Sequence, residues 1–237
     1  YKLLALDMDE GAARRAVCCF ALSPASFFFA APMSESLFMF CSLLSLYLMR
    51  RGRTVPSVLF GAYAAFTRSL GVILLVPLAL ELIRRRARVR EYLALAVVPL
   101  GFAAYCLINY AVSGDAFKFM YYQSSHWGQR LGLFFNTAAY QTENLLSSPA
   151  DRVLGLWLPN VLAQLIALAL VIAAAKKLRA SYTAHFIAYF VVAVGATWLL
   201  SAPRYLAAAP AIPAALGLSF AAFLAYFVPF LLRWQVW

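Results

Sequence analysis

The sequence predicts an all-α fold: a polytopic transmembrane helical bundle with about eight membrane segments. Hydrophobic residues make up 65% of the 237 residues and charged residues only 12%, whereas soluble domains carry about 45–50% apolar and about 25% charged residues. The apolar residues form runs of about 20 residues, the length that a helix needs to cross the hydrocarbon core. Short basic clusters separate the runs, as expected for loops that orient a membrane protein.

Each apolar run predicts a helix. Pro32 separates the first run from the second, for which Ser34 is a candidate N-cap. The stretch 55–83 has basic clusters at both ends, which places both ends on one side of the membrane, and one crossing cannot do that. We therefore expect two short helices there, with Arg68 at the turn. The predicted segments are roughly 16–31, 33–49, 55–83 (two helices), 91–112, 153–175, 182–200 and 205–228.

The distribution of basic residues predicts the orientation. Of the 20 Lys and Arg residues, five (Arg68, Lys118, Arg130, Arg152 and Arg204) fall on one predicted side. The rest fall on the other side, which the positive-inside rule makes cytoplasmic, together with both termini. This distribution explains the net charge of +11, so a nucleic-acid partner is rejected. The cytoplasmic set is Lys2, Arg14, Arg15, Arg50, Arg51, Arg53, Arg84, Arg85, Arg86, Arg88, Arg90, Lys176, Lys177, Arg179 and Arg233.

The segment 113–152 is the predicted outer loop of a single transmembrane domain, 1–237. It carries too many aromatic residues for a solvated loop, so we expect amphipathic segments that lie in the membrane interface. The chain begins at Tyr1 without a methionine or a signal region, and we expect a further helix and loop upstream. The four cysteines lie inside apolar runs without metal-ligand spacing, so neither a disulfide nor a metal site is expected: Cys18, Cys19, Cys41 and Cys106.

Four polar residues adjoin apolar runs on the predicted outer side: Glu35, Arg68, His126 and Arg204. A charge at mid-helix costs about 2.5–3.5 kcal/mol, so such a residue either lies at the interface or has a function. Two arginines and a histidine suit a lipid phosphate, because the guanidinium fork matches phosphate oxygens. Each residue also has a structural interpretation. Glu35 favours a helix N-terminus, Arg68 can snorkel or pair with Glu35, Arg204 can satisfy carbonyls beside a proline, and His126 can anchor the interface with Trp127.

Asp7-Met8-Asp9 has the D-x-D form that binds a metal–nucleotide sugar in some transferases. It precedes a basic pair on the predicted cytoplasmic side, across the membrane from the other candidates. We therefore interpret it as a solvated acidic turn.

Four motifs resemble those of the PIG-V-type mannosyltransferases, in the same order along the chain. Pro24–Phe38 (PASFFFAAPMSESLF) resembles the family's segment of proline, aromatic pair, small residues and S/T-E-S-L-F. Thr67–Gly71 (TRSLG) resembles its arginine–glycine motif, and Gln123–Gly128 (QSSHWG) its loop histidine–tryptophan motif. Ser201–Tyr205 (SAPRY) resembles its late S-x-x-R-Y segment. The resemblance spans about 30–210, and at Met33 the family commonly has an aromatic residue instead.

The resemblance implies a GT-C integral membrane glycosyltransferase. Such enzymes transfer mannose, or a related hexose, from a polyprenyl phosphate to a lipid-linked or cell-envelope acceptor on the non-cytoplasmic face, as in GPI-anchor biosynthesis. It implies that Arg68 and Arg204 bind the donor phosphate and that Glu35 orients a hydroxyl or pairs with an arginine. The substrate-binding residues that it implies are Gln123, His126, Trp127 and Tyr205.

The resemblance also implies features outside the four motifs. GT-C enzymes carry their catalytic carboxylate in the first outer loop, which we expect upstream of Tyr1. The compact loops favour a bacterial relative in the plasma membrane, with the endoplasmic reticulum as the location in a eukaryote. No cofactor is expected, and the sequence does not indicate a divalent metal.

Two alternatives remain open at this point. One is a flippase or transporter of polyprenyl-linked sugars, which would show polar residues at mid-helix and internal repeats. The other is an accessory subunit that supports another transferase.

Overall fold

A computed structural model describes residues 1–22, 26, 29, 34–130 and 132–195, apart from the side chains of Trp127 and Val194. These residues form helices and turns without a strand. The short elements are a 3-10 turn at Leu4–Leu6, a 3-10 helix at Ser69–Leu74, a helical turn at Ala150–Arg152 and a π-helical segment at Val153–Trp157. The α-helices are α1 Glu10–Leu22, α2 Glu35–Arg50, α3 Thr54–Thr67, α4 Leu75–Arg84, α5 Val89–Ala94, α6 Val97–Ser113, α7 Lys118–Trp127, α8 Phe134–Ser147, α9 Leu158–Ala174 and α10 Ala180–Val194.

Proline and glycine mark several helix boundaries. Pro56 and Pro99 lie in the first turns of α3 and α6, where a missing N–H costs no helical hydrogen bond. Gly114 ends α6 with φ 72°, and Gly128 ends α7 with φ 62°. Glycine adopts this left-handed conformation without the Cβ penalty, so both helices end at positions that the sequence marks.

The stretch 55–83 breaks at Arg68, as predicted. Arg68 has extended backbone geometry, φ −148° and ψ 134°, between α3 and the 3-10 helix. The chain then packs back closely on α3. A Cβ added at Gly71 would lie only 2.4 Å from the carbonyl carbon of Ala64. The prediction of two short helices with Arg68 at the turn is confirmed.

The core lies where α2, α3, α4 and α10 pack together. Large side chains of α4 and α10 are buried at helical spacing, including Leu78, Leu82 and Phe186. Ser45 of α2 and Ser57 of α3 bond reciprocally, each hydroxyl donating to the other residue's carbonyl at 2.8 and 2.7 Å. Small or hydrogen-bonded residues at such contacts are characteristic of helix packing in membranes, where close approach replaces the hydrophobic driving force.

Two described helices are long and apolar enough to cross a membrane, Val89–Ser113 and Ala150–Ala174. Only 11% of the most apolar window of Val89–Ser113 is buried, so this helix exposes large side chains such as Leu100, Leu107 and Ile108. An apolar face of that extent is costly in water and suits a lipid environment. The predicted total of about eight membrane crossings stays a prediction.

Two groups of polar side chains lie at opposite ends of this bundle. Helix α2 begins at Glu35, which contacts Arg68, and ends at Arg50, which contacts Asp7. Because α2 has 16 residues and each adds 1.5 Å, the two ends are about 24 Å apart. Arg50, which is predicted to be cytoplasmic, thus lies far from Arg68 within the fold.

Several predicted boundaries differ from the observed ones. The first helix begins at Glu10 rather than near residue 16, because the Asp9 carboxylate accepts a hydrogen bond from the Ala12 N–H at 2.9 Å and caps it there. The predicted outer loop contains two helices, α7 and α8; that they lie in the membrane interface stays a prediction. The predicted helix at 205–228 lies outside the described residues.

Candidate functional site

A buried ion pair joins Glu35 at the start of α2 to Arg68 at the break after α3. The Arg68 Nη1 atom donates to Oε1 of Glu35 at 2.5 Å, and the two side chains are 15% and 1% exposed. The guanidinium carbon also lies 6.0 Å from the centre of the Phe38 ring. Removing one partner of such a pair would leave the other charge buried and uncompensated, so each residue stabilises the position of the other.

Arg68 opens onto a cavity of about 940 Å³. One part of its lining is polar and includes Thr67, Ser69 and Gln123 beside Arg68. The apolar part comes from α3, the 3-10 helix, α6, α7 and the end of α10: Phe66, Leu70, Val72, Ile73, Phe102, Phe119, Met120, Val192 and Ala193. Among the described lining residues there is no carboxylate, so this surface favours an anionic molecule with an apolar part.

Helix α7 forms one wall of the cavity. Its Phe119 packs against Phe102 and Tyr105 of α6, with ring centres 6.2 and 5.3 Å apart. This packing directs Gln123, one turn further along α7, to the cavity lining. The predicted site residues Arg68 and Gln123 therefore share one cavity.

His126 does not join them there. His126 is exposed, accepts or donates a hydrogen bond with Ser125 through Nδ1 at 2.8 Å, and lies against Tyr122 with ring centres 5.7 Å apart. It is not among the residues that line the cavity. Trp127 ends α7, and its side chain lies outside the described part of the chain. Arg204 and Tyr205 lie outside the described residues as well, so their predicted roles stay predictions.

The sequence reasoning gave no role to Arg130, which lines the same cavity. Arg130 lies in the segment 128–133, whose described residues are Gly128–Arg130 and Gly132–Leu133. Gln129 N–H donates to the Gln123 carbonyl at 3.0 Å, and Gly132 N–H donates to the Gly195 carbonyl at 2.7 Å. We call these described residues the strap. The only sequence signal for Arg130 was its place among the few basic residues of the predicted outer side.

Asp7 lies in an exposed turn, as predicted, but its carboxylate is bound by other side chains rather than simply solvated. Its carboxylate accepts hydrogen bonds from Arg50, with Nη2 at 2.8 Å, and from the Tyr182 hydroxyl at 3.0 Å. Arg179 completes the group through a 3.5 Å contact with Asp7. The reason is tertiary: α2 and the start of α10 bring their basic and phenolic groups to the N-terminal segment.

Glu81 belongs to the same group. Its carboxylate accepts from Arg179 Nε at 2.6 Å, from Arg179 Nη2 at 2.7 Å and from the Ser181 hydroxyl at 2.6 Å. The hydrogen bonds and the charge of Glu81 raise the pKa of the Arg179 guanidinium. We call Asp7, Arg50, Glu81, Arg179 and Tyr182 the inner cluster. Two carboxylates balance two guanidinium groups in it, so its formal charge is zero.

Within the described residues, no group of three His, Cys, Asp or Glu side chains could hold a metal ion. The described cavity lining offers cations, hydroxyls and amides instead, and these are ligands for an anion rather than for a metal.

Helical packing, two membrane-length apolar helices and a cavity with a cation beside an apolar wall define the class: this is a helical membrane protein. The family model for mannosyltransferase (PIG-V) matches residues 3–128, just over half of the chain. The protein belongs to this family, which confirms the resemblance and supports a glycosyltransferase with a sugar donor and an acceptor. No curated protein and no solved structure matches the chain. The matched segment includes Glu35, Arg68, Gln123 and His126, but not Arg130.

Proposed function

We propose that the protein is a GT-C-type glycosyltransferase that moves mannose, or a related hexose, from a polyprenyl phosphate to a lipid-linked or cell-envelope acceptor. The reaction would take place at the non-cytoplasmic face of a multi-pass membrane protein. The observation that carries the proposal is the position of Arg68. It lies within the family match, pairs with buried Glu35 and lines a largely apolar cavity.

The cavity supports a polyprenyl-phosphate donor on two grounds. A volume of about 940 Å³ lies at the upper end of the usual range for ligand sites, about 300–1,000 Å³. The apolar wall suits the first prenyl units, while Arg68 and the neighbouring hydroxyl groups suit the phosphate. A water-soluble nucleotide sugar would leave the apolar wall without a partner.

The chemistry assigned to the described residues is charge stabilisation. When the acceptor oxygen bonds to the anomeric carbon, its hydroxyl proton passes to a general base. The bond from that carbon to the phosphate oxygen breaks, and the electron pair of this bond stays on the phosphate. A guanidinium beside this oxygen stabilises the developing negative charge. Glu35 fixes Arg68, so the fork points to one place before the donor arrives. Gln123 would orient sugar hydroxyls, and Arg204 would give the phosphate a further contact.

The test is Arg68→Lys in the full-length protein. Lysine retains a positive charge for Glu35 but loses the planar fork, so mannose transfer should fall about 10- to 100-fold at an unchanged amount of folded protein. Arg152→Lys is the matched control: Arg152 is exposed and not among the cavity residues, so its activity should stay within about twofold.

The measurement is transfer of labelled mannose from polyprenyl-phosphate mannose to the membrane glycan fraction, normalised to folded protein. Full activity of Arg68→Lys would refute the phosphate role. Movement of labelled donor across the bilayer without transfer by the wild-type protein would instead favour a flippase.

A further inference from the structure

The Glu35–Arg68 pair leaves the cavity with less positive charge than its sequence suggests. Glu35 lies behind Arg68 and is 1% exposed, so water does not screen its carboxylate from the guanidinium. The pair has a formal charge of zero. An anion that enters the cavity gains hydrogen bonds from Arg68 but little net attraction from the pair.

Arg130 is the other cation among the described residues that line this cavity. It reaches the cavity from a different part of the fold. Arg68 lies at the break after α3, whereas the strap between α7 and α8 carries Arg130. The described lining of the cavity therefore takes its two guanidinium groups from elements that are far apart in sequence.

The strap is fixed in place by bonds to two helices. Its Gln129 N–H bonds to α7, and its Gly132 N–H bonds to the carbonyl of Gly195 at the end of α10, at 2.7 Å. Thr137 of α8 bonds to the same carbonyl at 3.3 Å. The Gln129 bond attaches the backbone next to Arg130, which limits the positions that the long arginine side chain can reach, so less entropy is lost when it binds a ligand.

We propose that Arg130 is a second binding residue for the phosphate of the lipid donor and supplies the net positive charge that the Glu35–Arg68 pair does not. This inference rests on the proposed function and names a residue of that same site. Arg68, aligned by Glu35, gives the phosphate directed hydrogen bonds, and Arg130 gives it a charge-assisted contact from the strap. The apolar wall holds the attached hydrocarbon.

The test measures binding rather than catalysis. Full-length protein in detergent is titrated with farnesyl phosphate, an anionic prenyl lipid, and with farnesol, its uncharged counterpart. Arg130→Gln should weaken farnesyl phosphate binding about tenfold and leave farnesol binding unchanged, because only the phosphate contact is lost. Raising the salt concentration should reduce the difference from wild type, since Arg130 is exposed.

Two further variants serve as a control and as a test of partial recovery. Arg152→Gln removes a charge from another exposed arginine of the predicted outer side and should bind both lipids as wild type does. Arg130→Lys should recover part of the affinity, because it keeps the charge and loses the fork.

Some outcomes would overturn the inference. They are farnesyl phosphate binding by Arg130→Gln within twofold of wild type, an equal loss of farnesol binding, and no farnesyl phosphate binding by the wild-type protein. The proposed function fails separately, through the absence of mannose transfer by the wild type. An unaffected Arg130→Gln beside a defective Arg68→Lys would leave the transferase standing and remove only Arg130 from its site.

Discussion

Glu81→Gln should strongly destabilise this fold. Glutamine matches the size of glutamate but removes its charge, so the inner cluster changes from a formal charge of zero to +1. Its amide NH₂ would also face the Nη2 donor of Arg179, which bonds to Oε2 of Glu81 at 2.7 Å. The Asp7 carboxylate would then be the only acidic group of the cluster left for Arg50 and Arg179.

The expected loss is about 3 kcal/mol. Removing one partner of a buried pair typically costs about 3–5 kcal/mol. The lower end applies because Glu81 is 5% exposed but Arg179 is 19% exposed, so water partly solvates the guanidinium that is left. For a chain of this length 3 kcal/mol corresponds to a fall of roughly 6–12 °C in the midpoint of thermal unfolding.

Glu10→Gln is the matched control. Glu10 forms an ion pair with Arg14 at 3.0 Å, but both side chains are more than 70% exposed. Exposed pairs one helical turn apart contribute only about 0.3–0.5 kcal/mol, so this variant should unfold close to wild type.

The assay is thermal unfolding of the detergent-solubilised protein, with mannose transfer per folded protein measured alongside. Because the inner cluster lies at the opposite end of α2 from the cavity, specific activity should be retained in both variants. Equal midpoints for Glu81→Gln and Glu10→Gln would refute the reasoning that burial of the cluster makes its charges structural.

The remaining predictions concern packing, orientation and the predicted phosphate ligand. Gly71→Ala should destabilise the fold by about 1–3 kcal/mol, because the new Cβ would lie 2.4 Å from the backbone of α3, whereas Gly155→Ala meets nothing within 4 Å and should be neutral in the same unfolding assay. In a cysteine-free background, an impermeant thiol reagent should label Glu143→Cys from outside but not Arg86→Cys; the reverse would invert the topology. Arg204→Lys should lower mannose transfer about 10- to 100-fold, and unchanged specific activity would remove its phosphate role.

The break at Arg68 could be predicted because its causes are local. A charge within an apolar run and basic clusters on both sides are visible in the sequence, and the positive-inside rule predicts a turn from them. Pairing of Arg68 with Glu35 was one of the alternatives for the same reason: each charge near hydrocarbon requires a partner. The sequence could not choose between pairing and snorkelling, because that choice depends on which helix lies beside the turn.

The inner cluster and the strap could not be predicted. Asp7 bonds to Arg50 43 residues away, and Glu81 bonds to Arg179 98 residues away. No local pattern encodes contacts over such distances, so Asp7 resembled a solvated acidic residue. Arg130 likewise acquires its place only when hydrogen bonds attach its segment to α7 and α10.

The sequence by itself determined the helical class, the break at Arg68 and the family, because composition and short motifs are properties of neighbouring residues. The tertiary structure decided which charges neutralise one another and which face the cavity. Electrostatic attraction depends on distance in space and on burial, and these arise only when α2, α3, α4 and α10 pack together. Glu35 and Arg68 thus became a neutral pair, and Arg130 became the second cation of the described cavity lining.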